Sequence, residues 1–172
     1  MRKVLVIGSP GAGKSTFARR LGEITRLHVV HLDRHFWNSG WVETPRDEWS
    51  ERVAELLKGD SWIIDGNYSG TMNMRLAACD TVIFLDMPRL LCTWRVLKRR
   101  LQYNGRTRPD LPPGCPERFD LEFLFWTWNY PERSRQRVDA RLEALPASAT
   151  VHRLTSTRAA EQFLDSVAAQ RA

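Results

Sequence analysis

Short apolar runs rich in β-branched residues alternate along the chain with stretches whose apolar residues recur every three or four positions. The first pattern predicts strands and the second amphipathic helices, so the alternation predicts βα units around a parallel sheet. Five strands are expected, at Lys3–Ile7, His28–Leu32, Trp62–Ile64, Thr81–Leu85 and Thr150–Leu154. The runs Val4-Leu5-Val6-Ile7 and Val82-Ile83-Phe84-Leu85 are continuous rather than alternating, as in strands covered on both faces.

Helices are expected between the strands. Phe17, Leu21 and Ile24 keep one face apolar after the first strand; Trp49, Val53, Leu56 and Leu57 do so after the second. The second helix reads as starting with Thr44 as N-cap, Pro45 at its first position, and Asp47 and Glu48 in its first turn. Leu90, Trp94, Leu97 and Leu101 predict the buried face of a helix leaving the fourth strand, with Arg95 and Arg99 on another stripe. A returning helix repeats that spacing with Arg133 and Arg137. Its aromatic string Phe119, Phe123, Phe125, Trp126, Trp128 and Tyr130 reads as core packing. Ser156 and Thr157 are cap candidates for a last helix carrying Phe163 and Val167.

Two stretches break the βα plan. The acceptor loop, about residues 33–45, is dense in aromatics from Asp33 to Glu43. The second, about residues 102–118, holds Pro109, Pro112, Pro113 and Pro116 and reads as a mobile lid.

At 172 residues, with 42% hydrophobic and 27% charged residues, the chain is expected to form one soluble globular domain over 1–172. Its longest apolar start, four residues, is too short for a signal peptide or a membrane span, which predicts a cytoplasmic protein with no membrane partner. Cys79, Cys92 and Cys115 are far apart and lack metal-site spacing, so they read as reduced thiols. Charge changes the picture more. Between Arg89 and Arg141 stand eleven Arg and one Lys against six acids, so this segment carries the whole net charge of +6 and calls for an anionic ligand, nucleotide phosphate or nucleic acid.

The strongest motif is Gly8-Ser9-Pro10-Gly11-Ala12-Gly13-Lys14-Ser15, a GxxxxGK[ST] match between a buried strand and an amphipathic helix. Such a loop aims backbone N–H groups and the positive helix end at phosphates. Lys14 reaches the β- and γ-phosphates, the Ser15 hydroxyl ligates Mg²⁺, and Thr16 adds a hydroxyl near the α-phosphate. ATP and Mg²⁺ are therefore the expected cofactors. Asp33, Asp65 and Asp86 follow strand residues and are expected at the carboxyl edge of the sheet. Asp65 reads as a magnesium carboxylate, although Asp65-Gly66 is also a turn signal. Asp33 reads as the group that positions or deprotonates an acceptor hydroxyl, and Asp86 as a cap of the next helix. Arg34, Phe36, Trp37 and Trp41 are candidates to hold a planar anionic acceptor, with an apolar plug as the alternative. Arg95, Arg99 and Arg133 are expected to stabilise charge in transfer, and Arg106 and Arg108 to close over the phosphates. His31 and His35 lack a partner at ligand spacing and read as structural.

Several of these residues together resemble a known family. The glycine loop, His31-Leu32-Asp33 with Trp37, Trp62-Ile63-Ile64-Asp65-Gly66-Asn67-Tyr68, Phe84-Leu85-Asp86-Met87-Pro88-Arg89, Lys98-Arg99-Arg100, and the stretches from Gly105 and Gly114 to Asp120 are similar to adenylate-kinase-related proteins labelled DNA topology modulation proteins. The resemblance implies a P-loop, three-layer α/β/α fold of nucleoside-monophosphate-kinase type, with sheet order 2-3-1-4-5 and an arginine-bearing lid. With the site residues it predicts phosphoryl transfer from ATP to a nucleotide, nucleoside or other small hydroxyl acceptor, and a monomer or homodimer is expected. Its label adds a rival reading in which DNA is the partner. Where adenylate kinases carry Asp-Gly-Phe-Pro-Arg, this chain has Asp65-Gly66-Asn67-Tyr68. Asn67 is then an acceptor contact, and Arg75 stands in for the missing arginine.

Overall fold

The computed structural model describes residues 1–117 and 120–171. Arg118, the end of the expected lid, and Phe119 of the aromatic string lie outside them. The first strand, β1 (Lys3–Gly8), runs through Val4, Leu5, Val6 and Ile7, all with no exposed surface, and ends in the glycine loop. Helix α1 (Lys14–Thr25) follows, with β2 (Val29–His31) after it. The acceptor loop is more ordered than expected. It forms a short helix α2 (Leu32–Phe36) and a hairpin of β3 (Trp37–Asn38) and β4 (Val42–Glu43).

Next come α3 (Arg46–Leu57), β5 (Trp62–Asp65), α4 (Met72–Ala78), β6 (Thr81–Leu85) and α5 (Arg89–Gln102). Among its described residues the lid stretch forms two isolated bridges, Asn104 with Glu117 and Thr107 with Pro116, and its prolines disfavour longer strands. Then follow α6 (Leu121–Trp128), a π-turn at Pro131–Arg135, α7 (Gln136–Glu143), β7 (Thr150–Leu154) and α8 (Thr157–Ala169). The main sheet is parallel in the order β2-β5-β1-β6-β7, which is 2-3-1-4-5 when its five strands are counted along the chain.

Alternate residues of the central strands feed two cores. Val4, Val6, Ile63 and Ile83 pack on α1 and α8, whereas Leu5, Ile7, Ile64 and Phe84 pack on α3, α4 and α7. Burying one such side chain fully contributes about 1.5–3 kcal/mol, so continuous apolar strands hold a three-layer fold without help from their edges.

Local expectations fail in four places. Pro45, not Thr44, sits at the N-cap of α3, and the Thr44 hydroxyl instead donates to the carbonyl of Phe36 at 2.6 Å, tying down the hairpin. Asp86 does not cap α5, because Pro88 holds that position; its carboxylate pairs with Arg153 at 2.7 Å and Arg135 at 3.1 Å. The stripe expected to bury α5 faces outward. Cys92 and Val96 are buried instead, because the glycine loop packs against this turn of the helix. Lastly, Phe125, Trp126 and Trp128 are exposed rather than core, and among the described residues of the string only Tyr130 is buried.

Candidate functional site

Three strand ends and two insertions surround one cleft of about 1460 Å³. Its floor is the glycine loop. Gly11 (φ 74°) and Gly13 (φ 95°) adopt left-handed backbone that L side chains rarely take, and a Cβ on Gly11 would stand 2.2 Å from the Cys92 carbonyl oxygen. The residue types of the motif are therefore fixed by conformation and by close approach to α5.

Lys14 Nζ donates to the carbonyls of Gly8 at 3.0 Å and Ser9 at 3.1 Å, which keeps it folded over its own loop. Burial pushes its pKa down, and Asp33 and Asp65 pull it back up. Pro10 through Thr16 all line the cleft, while Gly8 and the buried Ser9 lie beneath it.

Asn67, expected at the acceptor, lines the cleft and has a second task. After Gly66 the chain leaves the sheet, and the Asn67 amide takes the place of a backbone partner for Gly8. Its Oδ1 accepts from Gly8 N at 3.0 Å and its Nδ2 donates to Gly8 O at 2.8 Å. The side chain thus braces the start of the glycine loop. Arg75 is also redirected. Fully buried outside the cleft, it donates to the carbonyls of Gly66 (2.8 Å), Asn67 and Tyr68 (2.9 Å), and burial lowers its pKa to about 9. It holds the turn that presents Asn67 and Tyr68 and does not face an acceptor.

Above the loop, the parallel register places His31 beside Asp65. His31 Nδ1 lies 3.1 Å from Asp65 Oδ1, so this histidine, read from sequence as structural, belongs to the site wall. Its hydrogen bond to Asp65 raises its pKa. Asp65 Oδ2 is buried with no hydrogen-bond partner. This orphaned carboxylate oxygen, on the wall of the cleft that Ser15 also lines, fits a Mg²⁺ site. Mg²⁺ prefers one or two protein oxygens plus phosphate and water to a closed protein cage.

Asp33 lines the same cleft, and burial pushes its pKa up. The Tyr68 hydroxyl donates to its Oδ1 at 2.6 Å and opposes that shift, as does Lys14. Tyr68 was not singled out as a site residue in the sequence. Its backbone is left-handed (φ 33°), and its ring packs on Phe36 (4.6 Å between centroids) and Trp49 (5.0 Å). Phe36 also meets Trp37 edge-on, and Trp37 meets Trp41. These rings form one aromatic wall of the cleft, with Arg34 lining it as well. Phe123, Trp126 and Tyr130 form a second wall from the helix after the lid. Helical spacing alone could not separate them from Phe125 and Trp128, which turn away.

The arginines divide. Arg95 lines the cleft and donates to Ala12 O at 3.2 Å and Thr157 Oγ1 at 2.9 Å. Arg99 and Arg108 line it too, both paired with Glu117 Oε1, at 3.0 and 2.5 Å. Burial lowers the Arg99 pKa. Arg106, expected beside Arg108, is exposed and off the cleft, because the turn closed by Arg106 N on Tyr103 O swings it outward. Arg133 is exposed and outside the cleft as well, although Arg137 lines it. The side chains that line the cleft here are instead Ser134, Arg137, Val138 and Arg141.

Lid and hairpin touch. Gly40 N donates to Gly114 O at 2.9 Å, Trp41 Nε1 to Pro116 O at 2.9 Å, and the Cys115 thiol to Asn38 O at 3.2 Å. The stretch after α5 is thus hydrogen-bonded to the β3–β4 hairpin. Among the described residues no helix is long and apolar enough to cross a membrane.

No family model matches this chain, and neither does any curated protein. Solved structures do. A shikimate kinase from Acinetobacter baumannii in complex with shikimate superposes with a TM-score of 0.63 at 14% identity, over 99% of this chain and 95% of that one. A shikimate kinase from Bacteroides thetaiotaomicron gives 0.55 at 14% identity over 97% and 96%. A sugar kinase from Janibacter sp. gives 0.51 at 21% identity over 99% and 91%. At these identities the likeness establishes the fold, a P-loop kinase-type α/β sandwich spanning the whole chain. It shows the fold alone and carries nothing on DNA topology.

Proposed function

We propose that this chain is an ATP- and Mg²⁺-dependent small-molecule kinase, moving the γ-phosphoryl group to a hydroxyl of a nucleotide, nucleoside or other small acceptor. The observation that carries the reading is a single cleft with a phosphate cradle at one end, an aromatic wall at the other, and Asp33 lining it between them. The P-loop amides and Lys14 hold the β- and γ-phosphates. The Ser15 hydroxyl and Asp65 would hold Mg²⁺, which would supply charge neutralisation on the phosphate oxygens.

The rings of Phe36, Trp37, Trp41 and Tyr68 seat an acceptor with a flat or apolar face, and Arg34 offers a cation to any anionic group on it. Asp33 accepts the hydroxyl proton as the oxygen–phosphorus bond to the acceptor forms and the bond to the departing ADP oxygen breaks. Arg95, Arg99 and Arg108 face the charge that spreads over the transferring group. The free thiols of Cys79, Cys92 and Cys115 suit a reducing cytoplasm.

The test is a panel of nucleotides, nucleosides and small cyclic alcohols incubated with protein and Mg-ATP, with product followed by mass. At least one acceptor gains a phosphoryl group, and Lys14→Ala abolishes the gain. A panel that yields only slow ATP hydrolysis refutes the proposal.

A further inference from the structure

Helix α5 has two opposite faces. Cys92 and Val96 are buried against the glycine loop and core, with Arg95 and Arg99 lining the cleft beside them. At roughly 100° per residue, Leu90, Trp94, Leu97 and Leu101 fall within an arc of about 60° on the far side. Leu90, Trp94 and Leu101 are 70%, 59% and 79% exposed.

Helix α6 lies antiparallel to α5. The Arg89 guanidinium sits 5.4 Å from the Trp128 ring at one end, and Leu97 and Arg100 share a small cavity with Phe123 and Leu124 toward the other. On α6, Trp126 faces the cleft, and the helical wheel sends Leu121, Phe125 and Trp128 to the opposite side. For an antiparallel pair with those contacts, both apolar stripes emerge on the same side, away from the cleft. They form one continuous apolar face. From the exposures of its large side chains it offers roughly 750 Å², more than a typical monomer leaves bare and close to the ~800 Å² per partner of a stable interface.

The charges around this face complement themselves. Helix α5 carries Arg89, Arg95, Lys98, Arg99 and Arg100 and no acid, whereas α6 carries Glu122 and no base. Exposed Lys98 lies on the outer edge of α5, and exposed Glu122 on the outer edge of α6 at nearly the same height along the pair. A twofold axis parallel to the helices lays α5 of one copy on α6 of the other and brings Lys98 to Glu122 twice. An axis perpendicular to the helices would instead set basic α5 against basic α5.

We propose that the exposed apolar face of α5 and α6 is an isologous dimer interface, α5 packing on α6 of a second copy of this chain with Lys98 opposite Glu122. The dimer backs onto the helix that carries Arg95 and Arg99 and leaves both clefts open to solvent.

Sedimentation velocity from low to high micromolar concentration tests this directly. The full chain sediments with twice its 19.9 kDa mass. Leu90→Glu on one helix and Phe125→Glu on the other each give a monomer with unchanged far-ultraviolet circular dichroism and Mg-ATP affinity. Should one of these fail to fold, the other decides. Lys98→Glu and Glu122→Lys each weaken the dimer roughly tenfold, because symmetry repeats the pair, and the double swap restores it. A wild-type monomer at high concentration overturns the proposal. So does a dimer that survives Leu90→Glu and Phe125→Glu, a double swap no tighter than the singles, or a monomer that floats with anionic phosphatidylserine vesicles until Leu90→Glu releases it.

Discussion

Asn67→Ala separates two roles that look alike in sequence. The Asn67 amide makes two hydrogen bonds to Gly8, at 3.0 and 2.8 Å, where β5 has ended and no backbone group replaces it. Alanine removes both bonds. The Gly8 carbonyl keeps Lys14 as a donor, but the Gly8 N–H loses the partner supplied by Asn67. One lost bond at about 1 kcal/mol, plus an unsatisfied partly buried donor at about 1–3 kcal/mol, gives a destabilisation of about 2–4 kcal/mol. For a domain of this size that lowers Tm by roughly 5–15 °C. Because Gly8 opens the loop and anchors Lys14, Mg-ATP affinity falls about tenfold or more. Differential scanning calorimetry and titration calorimetry with Mg-ATP measure the two effects without knowledge of the acceptor. A variant with unchanged Tm and Mg-ATP affinity but a raised acceptor KM would refute the brace and restore Asn67 to the acceptor site.

Tyr68→Phe keeps the ring against Phe36 and Trp49 but removes the hydroxyl that donates to Asp33. That bond favours the ionised carboxylate, so its loss raises the Asp33 pKa further. The acid limb of the kcat/KM profile then moves to higher pH, with a loss of roughly tenfold or more on that limb; an unmoved limb removes Asp33 from the role of base. Glu117→Ala leaves Arg99 and Arg108 without their shared carboxylate, a loss of about 3 kcal/mol in the nucleotide-free protein. Mg-ATP supplies phosphate oxygens in its place, so the gap in Tm between variant and parent narrows on nucleotide addition; a constant gap places both arginines away from the phosphates. Arg75→Met removes a buried guanidinium that serves three carbonyls, lowering Tm and weakening Mg-ATP and acceptor alike through the 66–68 turn; an effect on acceptor KM alone contradicts this account.

Much of the fold was legible because its signals are local. Continuous apolar strands, the glycine loop and helical periodicity near β1 and β2 all depend on residues within one turn or one strand of each other. The same locality explains the failures on α5 and α6, where periodicity locates a stripe but does not say which stripe meets the protein. Arg95 and Arg99 were found in the cleft because their stripe faces the glycine loop. Arg133 was lost because the face of its turn that meets the cleft is the one carrying Ser134 and Val138, and Arg106 because the lid turn swung it outward.

The sequence by itself determined the glycine loop between β1 and α1 and the placing of Asp65 at a strand end, since both follow from chain-local geometry, and the sheet order through family resemblance. Only the tertiary structure decided that His31 faces Asp65, that Asn67 grips Gly8, that Tyr68 touches Asp33, and that Arg75 serves carbonyls rather than a ligand. Each of these pairs joins separate segments across the carboxyl edge of the sheet, and the side chain takes whichever unsatisfied partner lies within hydrogen-bond reach once register and turns are set.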